Sequence, residues 1–156
     1  MEAAWAPLAA EVNQVRHTLA ARTLGAPVND LPVLLDAREA FLDSLTSRCQ
    51  ELTAGELTAL DRVVERKLYD IDSAGLHAVT GGSDDGFLYA RGFVVAMGRR
   101  YYYAVAADVQ MAVSWAELEE ICYFFAHLHH KRYGSFLGTG TGISRESGSN
   151  PAGWPS

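Results

Sequence analysis

Cysteine is scarce in this chain of 156 residues: Cys49 and Cys122 stand alone, with no C-x-x-C pair and no spaced framework. That excludes a disulfide-stapled scaffold and a thiolate metal knuckle, and both residues read as reduced thiols. Cys122 sits in an apolar helical stretch, where a small hydrophobe fits. Positive charge is also short, with 13 Lys and Arg against 19 Asp and Glu and a formal charge of -6. A general nucleic-acid binder needs a basic surface, so the charge argues against that class and, for the same reason, against docking on anionic lipid. No apolar run reaches membrane-spanning length. Met1-Glu2-Ala3-Ala4-Trp5 lacks the basic start and apolar centre of a secretion signal, which makes the cytoplasm the expected compartment. Sustained alternation of apolar and polar residues is missing too, so no strand is expected. The chain has no Gly-x-Ser-x-Gly elbow, P-loop, dinucleotide fingerprint or zincin motif, and no cofactor is expected.

What is present is helical periodicity. Trp5, Leu8, Val12, Val15 and Leu19 fall on one helical stripe, which Gly25 and Pro27 end. Pro32 suits the first turn of a second helix running through Leu34, Leu35, Phe41 and Leu45. Thr53-Ala54-Gly55-Glu56 has capping-box spacing and opens a third, carrying Leu57, Leu60, Val63, Val64 and Leu68. Asp61, Glu65 and Arg66 on its other face read as a solvated charged surface. A short segment around Leu76 to Thr80 follows. The next helix starts after Ser83 and runs towards Gly98, apolar on nearly every side and therefore central. Another begins at Arg99 and extends through Ala107. Ser114-Trp115-Ala116-Glu117 has the spacing of a second capping box, opening a last helix to about Tyr133, with Gly134 as its stop. From Ser135 the composition turns to Gly, Ser, Thr, Pro and Asn, which predicts a flexible tail over 135–156. The expectation is an all-α fold: a single compact multi-helix domain over 1–134, then that tail.

The block Gly81-Gly82-Ser83-Asp84-Asp85-Gly86-Phe87, with Tyr89 and Arg91-Gly92, resembles the bacterial DUF4240 family, a domain of unknown function. Further matching features are Leu52-Thr53-x-x-Glu56-Leu57, Asp61, Asp72 with Gly75, and Gly98-Arg99, so the resemblance is strongest over 52–99. Ser73-Ala74 and Phe93 depart from the family pattern where tryptophan is usual. The resemblance implies a helical fold and carries no established reaction.

The same block supplies the candidate site: Asp84, Asp85, Tyr89 and Arg91. Read structurally, Ser83 caps the helix, and the two acids complement the positive end of its dipole. Arg91, the sole charge in a buried helix, then needs an acidic partner in Asp72, Asp84 or Asp85. Read functionally, the carboxylates belong to a polar pocket in which they act as acid and base or bind a cation. Gly81-Gly82 before a helix resembles an anion cradle, but the two acids repel a phosphate there. Gly86, Gly92 and Gly98 read as points of close helix approach. His127 and His130 share a helical face, yet with Lys131 and Arg132 they suit the negative end of the last helix, and no metal is expected. Tyr101, Tyr102 and Tyr103 span most of a turn, so one or two pack inward. Arg99 and Arg100 with Lys131 and Arg132 offer only a local basic patch. Many packing signals without a complete catalytic constellation point to a non-catalytic binding or regulatory module with a protein partner. The alternatives are an enzyme or small-ligand binder using Asp84, Asp85 and Arg91, and, more weakly, nucleic-acid binding.

Overall fold

The computed structural model describes residues 1–154. Among them are nine α-helices and no strand, as the periodicity predicts. The helices are α1 (Glu2–Trp5), α2 (Ala10–Ala21), α3 (Leu31–Asp36), α4 (Arg38–Arg48), α5 (Ala54–Asp70), α6 (Ala74–Thr80), α7 (Asp84–Ala96), α8 (Arg99–Ala107) and α9 (Glu119–Tyr133).

The centre is a three-helix unit of α5, α7 and α9, each packed on the other two. From Ala90 to Ala96 every residue of α7 is buried, in keeping with its all-round apolar sequence. Gly92 is needed there, because a Cβ at that position would lie 2.5 Å from the Leu118 carbonyl oxygen and 2.8 Å from Cys122 Sγ. Close approach of α7 and α9 requires the missing side chain. The other helices surround this unit: α8 joins α7 to α2, and α1 packs on α4. Trp5 links these layers. Its ring stacks on Phe41 with centroids 4.2 Å apart, and its Nε1 donates to the Ala96 carbonyl at 2.7 Å.

Local chemistry explains most boundaries. At Thr53 the capping box is complete, the hydroxyl accepting from Glu56 N while the Glu56 carboxylate accepts from Thr53 N. Ser73 and Ser83 cap α6 and α7 through the amides of Leu76 and Gly86. Three boundaries differ from expectation. The stripe from Trp5 to Leu19 is divided between α1 and α2 around Pro7, and the Asn13 side chain takes up the freed carbonyls of Trp5 and Leu8. The segment at Ser114 is not a capping box, and α9 begins at Glu119. Ser114 Oγ donates instead to Val79 O at 2.8 Å, and Leu118 N donates to Tyr89 O at 3.0 Å. These bonds hold the segment against α6 and α7, with a turn at Ser114–Trp115 in which Trp115 has φ +62°. The expected long helix after Pro32 is likewise interrupted at Ala37, between α3 and α4.

The largest departure is the tail. It is irregular, as its composition predicts, but it is not loose: residues 139–154 lie along α5, the α5–α6 turn and α7. Arg145 is buried and pairs with Asp61 Oδ2 at 2.8 Å and Glu65 Oε1 at 3.4 Å. Asp61 and Glu65, read as solvated, are only 1% and 5% exposed. The buried carboxylate of Asp72 accepts the backbone amides of Gly148 and Asn150 and the indole N–H of Trp154. Gly153 O in turn accepts from Ala74 N. Composition misleads here because the segment is held by hydrogen bonds to buried charge rather than by apolar area. Truncation after Ser135 leaves those charges uncompensated, at about 3–5 kcal/mol for a broken buried pair. The urea midpoint of residues 1–135 is therefore expected to fall far below that of the full chain, or the fragment to be unfolded. An unchanged midpoint counts against this account.

Candidate functional site

The predicted block converges on the tail rather than on an open pocket. Arg91 is fully buried within α7. Its Nη1 donates to Leu68 O at 2.9 Å, and its Nη2 donates to Arg145 O at 3.0 Å and Ser147 Oγ at 3.1 Å. The guanidinium lies 4.7 Å from the Phe87 ring centroid. Burial lowers the Arg91 pKa, and the charge of Asp72 acts in the opposite sense. The expected direct pairing with Asp72, Asp84 or Asp85 is not found. Both Asp72 oxygens face tail donors, and Asp84 reaches the arginine only indirectly, through its backbone carbonyl, which accepts from Ser147 Oγ at 2.6 Å. Three carbonyl or hydroxyl oxygens thus bind the terminal nitrogens of a cation for which a carboxylate was expected, while its Nε is buried without a hydrogen-bond partner.

Asp84 and Asp85 are exposed in the first turn of α7, where they complement the helix dipole. Tyr89 is half-buried, its phenol raised by desolvation and by the nearby charges of Glu119 and Asp85. Gly81 and Gly82 adopt φ of +72° and +93°, ending α6, and the Trp115 ring lies over Gly81. The amide of Gly86 is occupied by Ser83. His127 and His130 are exposed and face Phe136, on which His130 stacks at 4.2 Å. His129 is turned inward, with Nδ1 2.7 Å from Ser135 O. Among the described residues no group of three or more His, Cys, Asp or Glu side chains is placed to hold a metal ion. The residues missed at this centre are Glu65, Arg145 and Ser147. A signal for Arg145 existed: it is an isolated arginine in a tail otherwise nearly free of positive charge.

A second feature was not foreseen. Between α5 and α8 lies a groove of about 320 Å³. Leu60, Val63, Val64 and Lys67 face it from α5, and Arg99, Tyr102 and Tyr103 from α8, with Val95 and Phe125 beneath. Val63 and Tyr103 are 55% and 51% exposed, although both are apolar in character. Lys67 Nζ lies 4.4 Å from the Tyr102 ring centroid and 4.8 Å from that of Tyr103. The Tyr102 hydroxyl donates to Lys67 O, fixing one wall. Of the tyrosine triplet, Tyr101 and Tyr102 are buried and Tyr103 is not.

The family model for a protein of unknown function, DUF4240, matches residues 34–133. The chain belongs to this family. Neither the curated proteins nor the solved structures contain a match to it. The DUF4240 region contains Asp61, Glu65, Asp72 and Arg91, whereas Arg145, Ser147 and Trp154, which satisfy them, lie beyond it. It also contains both walls of the groove. No described helix is long and apolar enough to cross a membrane.

Two predictions follow from this geometry. Arg91→Met removes the donor to two buried carbonyl oxygens and the Ser147 hydroxyl and is expected to lower the unfolding midpoint strongly. Asp84→Asn and Asp85→Asn, at exposed positions, are expected to unfold close to wild type. Equal losses across the three variants in urea unfolding overturn the assignment.

The second concerns ionisation. Burial pushes the Cys122 thiol and the Tyr101 phenol each up to about 12. Both stay neutral in the fold and ionise at lower pH once unfolded. Their contribution to stability is whole below the ordinary thiol value of 9.0 and is lost as pH rises towards 12. Stability measured by denaturant across that interval is expected to decline. At about pH 8 the buried Cys49 and Cys122 are expected to resist a disulfide reagent until the chain is unfolded.

Proposed function

We propose that this domain is a non-catalytic cytoplasmic binding or regulatory module that engages a protein partner through the groove between α5 and α8. The observation that carries this reading is the gathering of Leu60, Val63 and Tyr103, all large and exposed, around one concave apolar surface. Exposed apolar surface that is contiguous and concave is characteristic of a binding face. The polar block supports the same reading from the other side. The terminal nitrogens of Arg91 are bonded within the fold, and Asp72 and Glu65 hold the tail. Those groups are committed to architecture, which leaves the alternative of a pocket built from Asp84, Asp85, Tyr89 and Arg91 without its arginine. A formal charge of -6 speaks against nucleic acid as the partner.

The test is affinity capture from native lysate with quantitative mass spectrometry, using wild type, Val63→Glu and Asp85→Ala. One stoichiometric protein is expected with wild type and Asp85→Ala and is expected to be lost with Val63→Glu, which leaves the core intact. Loss with Asp85→Ala and retention with Val63→Glu transfers the site to the start of α7. Enrichment of a metabolite alone overturns the protein-partner reading.

A further inference from the structure

The groove also carries information about what fits it, an inference that rests on the reading of this groove as the binding face. Its walls are two helical strips: Leu60, Val63, Val64 and Lys67 at spacings of three, four and seven, and Arg99, Tyr102 and Tyr103 at three and four. Each helix is already packed on its far side, α5 on α7 and α9, and α8 on α7 and α2. The strip on α5 extends about 10 Å along the axis, roughly two helical turns. A concave surface of this length between two helices suits the apolar face of a third helix, which presents anchors at matching spacing. Among the described residues no strand edge offers the alternative of strand addition.

The charges set the partner's sign. Lys67 and Arg99 flank the apolar floor, and Arg99 lies 5.8 Å from the Tyr103 ring centroid. Among the described residues neither cation is within ion-pair distance of a carboxylate. The one acid lining the groove, Glu2, is already engaged, accepting from Arg16 Nη1 at 2.6 Å and from Arg99 N at 3.0 Å. The groove is therefore locally positive within an acidic molecule. We infer that its occupant is an amphipathic helix of a partner protein with two or three apolar anchors flanked by Glu or Asp, the acids meeting Lys67 and Arg99. Complementary charge of this kind selects among partners and orients them.

The experiment pans a display library of helix-forming peptides of roughly 14 residues, about 21 Å long, on the full chain. Anchor positions vary among Leu, Ile, Met and Phe, and flanking positions among Glu, Gln and Lys. Enrichment of Glu over Lys is expected, with affinity falling roughly tenfold or more on Val63→Glu, as for loss of a central anchor. On the Lys67→Glu/Arg99→Glu double variant the preference is expected to turn to Lys, a gain that loss of folding cannot imitate. Enrichment indifferent to charge, or favouring Lys on wild type, overturns the acidic partner while leaving the groove as the binding face. No enrichment above an unrelated control, or clones that bind Val63→Glu undiminished, overturns both. Concentration-dependent dimerisation in sedimentation, abolished by Val63→Glu, assigns the groove to a second copy of this chain and overturns the partner helix.

Discussion

Charge withdrawn from water is the condition around which this fold is arranged. Asp61 and Glu65 on α5, Asp72 in the following turn and Arg91 on α7 are all buried. A buried ion without a partner costs several kcal/mol, more than most single apolar contacts return. None of the four is satisfied by the helices alone. Arg145 answers the two carboxylates of α5, Asp72 collects backbone and indole N–H groups, and Arg91 takes the Arg145 carbonyl and the Ser147 hydroxyl. Burial of Arg145 alone would lower its pKa, but its bonds to Asp61 and the charges of Asp61 and Glu65 prevail and raise it. The final segment thus has the role that an apolar helix face has elsewhere in the molecule.

This explains why the helices were legible in the sequence and the tail was not. Helix positions follow from local rules: the Thr53–Glu56 box, the Ser83 cap, Gly134 in the left-handed conformation and the continuous apolar character of α7 each act within a few residues. Where the same rules failed, a distant group had taken the relevant atom. Ser114 has the correct spacing to cap a helix, but Val79 O binds its hydroxyl. Asp61 and Glu65 have the spacing of a solvated face, but an arginine 84 and 80 residues away removes them from solvent. Composition reports how much apolar area a segment can bury. It is silent on hydrogen bonds to charges carried by other helices.

The candidate site was legible to the same degree. Burial of Arg91 follows from its position in an apolar helix, and the exposure of Asp84 and Asp85 follows from the Ser83 cap. The arginine's partners do not follow, because they are two main-chain oxygens and one hydroxyl from two separate segments, α5 and the tail. The groove escaped notice for a different reason. Val63 and Leu60 read as core positions on a helix rich in core positions, and only the packing of α8 shows that this part of α5 is left uncovered.

The span of the Asp61–Arg145 contact bears on cooperativity. The two residues are 84 positions apart, and the chain between them includes α6, α7, α8 and α9. Contacts that close so long a loop form late and raise contact order, so they contribute little to the nucleus and much to the finished state. They also join the last irregular stretch to the central helices as one cooperative unit. The Gly148 and Asn150 amides, bonded to buried Asp72, then depend for their protection on the stability of the whole molecule, a dependence usually associated with core helices rather than with a glycine-rich terminus.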